Sequence, residues 1–187
     1  MKQSILNHLS RWLCTSAPQE DFMFGPWKIP AREVFFMSPL SYATVNLKPV
    51  LPGHTLVIPR RNVEKLSELT SEEIADLFTA VQSVGELVRR MHNRQGLTVS
   101  VQDGAEAGQT VPHVHVHVLP RSSSDFKRND EVYEAIDATD MNRESHSGPD
   151  CEERPPRTSE EMAQEADALR VFGQKLILEN AATLDAP

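Results

Sequence analysis

Cysteine is scarce in this chain of 187 residues: there are two, Cys14 and Cys151, both in stretches that read as irregular. That scarcity excludes a disulfide framework and suits a reducing compartment, the cytoplasm or the nucleus. Long apolar runs are also missing, since nothing approaches the roughly 20 residues that cross a bilayer. No basic stripe is present, which argues against a nucleic-acid partner. No cluster of carboxylates in the central region suits a metal, and no internal repeat is found. The net charge of −8 is unevenly placed: residues 125–167 hold 14 acidic and 5 basic side chains, whereas 22–124 hold 9 and 10. The acidity therefore belongs to a tail beside a nearly neutral domain.

What the chain does hold is histidine in a pattern. His113-Val114-His115-Val116-His117-Val118-Leu119-Pro120 alternates imidazole with valine. On a strand, alternate side chains share a face, so the rings line one side and the valines pack on the other. Successive rings would stand about 6.6 Å apart, and the outer pair about 13 Å, long enough to follow a polyphosphate chain. Three alternatives exist for such a row: satisfied core histidines, a zinc site, or a catalytic row. Zinc needs four ligands at about 2 Å, which the outer rings reach together only by strong convergence. Imidazole can be nucleophile, acid or cationic donor near neutral pH.

The flanking sequence supplies a frame. Residues 22–29 read as a short strand, a turn and a second extended piece, and further strands are expected at 34–37, 41–47 and 55–59, broken by Ser38-Pro39 and by Lys48-Pro49-Val50-Leu51-Pro52-Gly53. Thr70-Ser71-Glu72-Glu73 is a capping box. It opens a helix whose apolar stripe of Ile74, Leu77, Phe78, Val81, Val84, Val88 and Met91 belongs to a core. A strand over 97–102 leads to the glycine-bearing loop Asp103-Gly104-Ala105-Glu106-Ala107-Gly108-Gln109-Thr110. Its backbone N–H groups, with the Gln109 and Thr110 side chains, suit a phosphate. Thr158-Ser159-Glu160-Glu161 opens a second helix.

The run His113 to Leu119 resembles the signature of the histidine triad (HIT) family. Three other runs resemble its fragile histidine triad branch: Gln102 with the loop through Pro112, Val45-Asn46-Leu47-Lys48-Pro49-Val50-Leu51-Pro52-Gly53-His54, and Arg128-Asn129-Asp130-Glu131-Val132-Tyr133. The resemblance implies an α+β fold, with an antiparallel sheet of about five strands, one long helix and a C-terminal helix. The HIT domain would occupy 22–136. Residues 1–21 would form an extension, disordered or a mitochondrial targeting segment within 1–20. A mobile acidic loop at 137–157, a C-terminal helix at 158–178 and a tail at 179–187 would follow.

For function, the resemblance implies hydrolysis of diadenosine triphosphate to AMP and ADP through a nucleoside-phosphohistidine at His115. His117 would contact the transferring phosphate, and His113 and His54 would orient the other rings. Asn46 would hold the ribose, with Trp27 nearby where the family has a histidine, stacking on a base. Gln102 would bind the polyphosphate, with Gly108, Gln109, Thr110 and Val111 as its cradle. Tyr133 would be a regulatory site. Mg²⁺ or Mn²⁺ would arrive with the substrate rather than in a protein cage, and the chain would pair as a homodimer. Two rival readings stand beside this one: a nucleoside phosphoramidate hydrolase, and a signalling module whose nucleotide-loaded state binds a partner.

Overall fold

The computed structural model describes residues 2–140 and 155–184. Strands β1 (Phe22–Phe24) and β2 (Trp27–Ile29) form a separate hairpin. The main sheet comprises β3 (Val34–Met37), β4 (Ser41–Val45), β5 (Thr55–Pro59), β6 (Gly96–Ser100) and β7 (Val116–Arg121). Its order is β3-β4-β5-β7-β6, antiparallel throughout. The α+β expectation of five strands, a long helix and a C-terminal helix is what the structure shows.

Helix α2 (Ser71–Met91) begins at the capping box read from the sequence. Thr70 Oγ1 accepts the Glu73 N–H at 3.2 Å, and Glu73 Oε2 accepts the Thr70 N–H at 2.8 Å. Arg61 pairs with the same carboxylate at 2.6 Å and holds it well below its usual range, at about 2. The helix packs Leu77, Val81, Val84 and Val88 against the sheet, where Val114, Val116 and Val118 meet them in one core. Two stripe positions depart from expectation: Ile74 and Phe78 face outward, Phe78 being 42% exposed.

The chain's first residues also depart. Residues 2–12 form helix α1 (Lys2–Trp12), not a disordered extension, and Leu9 and Leu13 join the main core. The physical reason lies in the near-helical spacing of its apolar residues, which finds a partner in α4 (Ser159–Leu184). Gly173 of α4 has no side chain where Leu13 packs; a Cβ there would lie 2.6 Å from Leu13 Cδ2. Cys14 is buried beside this contact, with its N–H bonded to the Phe35 carbonyl at 3.0 Å. Burial pushes its thiol up to about 11, so it is inert at neutral pH.

Helix α4 continues six residues past the expected end at 178. Helix α3 (Glu131–Asp140) occupies part of the stretch expected to be irregular, because Val132 and Ile136 bury against Leu119. Of the expected mobile loop at 137–157, residues 141–154 lie outside the described residues. Among the described residues, no helix is long and apolar enough to cross a membrane.

Candidate active site

The four histidines singled out from the sequence come together and are all buried. The regular strand, however, starts only at Val116, so His113 and His115 precede the ladder rather than lying within it. The cause is local: the His113 N–H turns back to the Val111 carbonyl at 2.7 Å, and the Val114 N–H donates to the Val63 carbonyl at 2.8 Å. The valines still face the core. The rings of His115 and His117 lie edge to face with centroids 5.0 Å apart.

Hydrogen bonds to groups of known polarity fix each ring's tautomer. His113 Nδ1 accepts the Gly25 N–H at 3.0 Å, so Nε2 carries the proton and donates to the Pro59 carbonyl at 2.9 Å. Both nitrogens are thus engaged by backbone, which removes His113 as a metal ligand or nucleophile. Burial holds its imidazole below the ordinary histidine value, keeping it neutral. His115 donates from Nδ1 to the His113 carbonyl at 2.8 Å, which places the lone pair on Nε2. That is the basic, nucleophilic nitrogen of the row.

The third ring is set from behind. His54 Nδ1 accepts the Val50 N–H at 3.1 Å, so its Nε2–H donates to His117 Nδ1 at 2.9 Å. His117 therefore carries its own proton on Nε2, as a donor. Asn46 lies beside this pair, its Nδ2 3.3 Å from His54 Nε2, while its Oδ1 accepts the Lys48 N–H at 2.8 Å. The arrangement gives one nucleophile, one N–H donor, one fixed structural ring and one ring that sets a tautomer.

The remaining residues divide. Gln102 is buried just beyond β6, whereas Thr110 is exposed on the loop. Gln109 does not reach outward as expected. Its Oε1 accepts the Gly104 N–H at 2.7 Å, and its Nε2 donates to the Glu64 carbonyl at 3.0 Å. The N–H groups of Gly108 and Gln109 also turn inward, to the Ala105 and Gly104 carbonyls. The cradle is braced on itself, with Gly104 and Gly108 supplying the positive φ its turns require. Trp27 is 54% exposed on the hairpin whose turn, through Gly25, docks on His113. Val111 is partly buried and packs against the smaller core cluster formed around Phe24. Tyr133 lies on α3, half exposed.

Sequence reasoning missed several groups. Phe24 meets the His115 ring edge to face, with centroids 5.0 Å apart. The Gly25 and Val50 N–H groups and the Pro59 carbonyl, which set the tautomers, are backbone and carry no side-chain signature.

The model of the HIT domain matches residues 29–124, and the whole histidine row lies inside it. The chain belongs to the HIT domain family. Within that family it is 47% identical over 155 residues to a bifunctional bis(5'-adenosyl)-triphosphatase/adenylylsulfatase of Arabidopsis thaliana, covering 83% of this chain and 86% of the relative. It is 42% identical to an asymmetrical bis(5'-nucleosyl)-tetraphosphatase of Schizosaccharomyces pombe, covering 75% of this chain and 88% of the relative. Among solved structures, the Plasmodium falciparum diadenosine triphosphate hydrolase in complex with cyclomarin A superposes with a TM-score of 0.70 at 28% identity. It covers 92% of this chain and 97% of that one. These relatives place this HIT chain in the fragile histidine triad branch.

Proposed function

We propose that the protein hydrolyses diadenosine triphosphate to AMP and ADP. The observation that carries this reading is the tautomer assignment, which leaves the central ring with its lone pair on Nε2 and the next ring with its proton on Nε2. In the first step His115 Nε2 attacks a terminal phosphorus, and the bond to the bridging oxygen breaks, releasing ADP. The nucleoside phosphate remains on His115 through a P–N bond. Water then attacks the same phosphorus, breaking that bond and releasing AMP. Splitting one displacement into two lowers each barrier. The His117 N–H donates to a phosphate oxygen in both transition states. His113 and His54 act by fixing orientation.

Asn46 holds a ribose, with Trp27 stacking on a base. Gln102 and Thr110 bind the polyphosphate beside Gly108 and Val111, and Gln109 keeps the loop in place. Mg²⁺ or Mn²⁺ travels on the phosphate oxygens as part of the substrate. Tyr133, exposed on α3, is accessible as a regulatory site. Leu9 and Leu13 pack into the main core, and the reading places the protein in the cytoplasm or the nucleus.

The homodimer has support in the sheet edge. Among the described residues strand β6 has one neighbour, and Leu97 and Val99 are exposed on it. Phe78 of α2 is exposed as well. An open edge beside an apolar strip suits a second copy.

Product analysis tests the activity. Wild type and His115→Asn are incubated with diadenosine triphosphate, diadenosine tetraphosphate and adenosine phosphoramidate. AMP with ADP from the triphosphate, together with an acid-labile nucleotidyl adduct absent from the variant, is expected. Preferential cleavage of the phosphoramidate would overturn the dinucleotide assignment. Tight binding with no turnover of any substrate would leave the signalling module as the better account.

A further inference from the structure

The connection between β4 and β5 runs beside the histidine row and is held from behind by one arginine. Arg157 lies just ahead of α4. Its N–H donates to the Leu47 carbonyl at 3.0 Å, its Nη2 donates to the Asn46 carbonyl, and its Nη1 pairs with Glu165 of α4. Both side chains are only 19% exposed, where a charge-assisted bond is strongest. On its other side, the Asn46 N–H donates to the His54 carbonyl at 3.2 Å. The backbone of Asn46 is thus set from both directions, by His54 before it and by Arg157 after it.

Its side chain has little remaining freedom, because Oδ1 accepts the Lys48 N–H and Nδ2 lies against His54. A turn of the Asn46–Leu47 peptide would swing that amide out of place. The far end of the same connection is packed too: a Cβ on Gly53 would fall 2.5 Å from His92 Cδ2.

We propose that Arg157 is a positioning residue for the nucleoside end of the substrate. By holding the Asn46 and Leu47 carbonyls, it aims the Asn46 amide at the ribose hydroxyls. The inference rests on the ribose role given to Asn46 above. Glu165 serves it by holding the guanidinium plane. A contact across 111 residues of sequence joins α4 to the nucleotide pocket.

The test compares diadenosine triphosphate with its bis(2',3'-dideoxy) analogue in wild type, Arg157→Met, Arg157→Lys, Glu165→Gln and Asn46→Ala, with melting temperatures alongside. For Arg157→Met, KM for the natural substrate should rise about tenfold while kcat stays within about twofold, since ground-state placement is what is lost. Wild type should prefer the natural substrate about tenfold, through hydrogen bonds to the hydroxyls. That preference should collapse in Arg157→Met, fall partly in Glu165→Gln and be largely restored in Arg157→Lys, which keeps a charged donor. A merely structural arginine would weaken both substrates equally. An unchanged preference in Arg157→Met, with Asn46→Ala losing it, would overturn the role of Arg157 alone. No preference in wild type would overturn the ribose role of Asn46, and this proposal with it.

Discussion

In the segment from His113 to His117 every ring is buried and held through a ring nitrogen by backbone or by another imidazole. The loop over it, residues 103–110, is mostly exposed and is held by its own turns and by side chains that reach sideways. Asp103 Oδ1 accepts the Leu66 N–H at 3.0 Å, and Gln109 bridges to Glu64. The row is held through its ring nitrogens in the interior, while the loop is held at the surface by its own turns and by side chains reaching to 64–66. Chemistry that depends on which nitrogen carries a proton belongs in the first kind of region. Recognition of a long, charged chain of varying length suits the second.

The comparison breaks most visibly at its centre. His115→Asn removes the lone pair placed for attack, so kcat should fall about 10⁴-fold or more, read in single-turnover assays. His117→Asn removes one donor and should cost about 10²–10³-fold in kcat. A smaller loss for His115→Asn than for His117→Asn would move the nucleophile to the other ring.

The loop should respond in the other parameter. Gln109→Ala loosens the loop without touching a ring, so KM should rise about threefold to tenfold with kcat nearly unchanged. A fall in kcat alone would mean that the loop takes part in the chemistry. The smallest effect is on stability. Burial holds His113 and His92 below the ordinary histidine value, so the folded state takes up a proton less readily than the unfolded chain. Their contribution is complete above about pH 6.5 and is lost as pH falls through the lowered values. The melting temperature should drop from pH 7 to 5, with a shallower slope in His92→Gln and an unchanged slope in Gln109→Ala.

Much of this division is legible in the sequence, for identifiable reasons. Period-two alternation put Val114, Val116 and Val118 in the core, and both capping boxes start helices where Thr70 and Thr158 stand. The four histidines meet as expected. What escaped was tertiary. Helix α1 becomes structural because α2 and α4 pack against it, which its own sequence does not show. The outward turn of Phe78 is not marked by its place in the apolar stripe. The inward turn of Gln109 depends on Glu64, 45 residues away. Tautomers depend on backbone groups that every residue possesses.

The packing of Leu13 against Gly173 has a temporal meaning as well. Leu13 and Gly173 lie 160 positions apart in the sequence, so α1 is synthesised well before its partner. At about 5–20 residues per second, the apolar face of α1 waits roughly ten to thirty seconds on the ribosome before α4 emerges. Closure of such a distant contact is slow and comes after the sheet and α2 can already have formed. The nascent chain therefore passes through a stage in which the histidine row is framed while its outer helical layer is still open. Chaperone capture would be expected at that stage, on the face that Leu9 and Leu13 later cover.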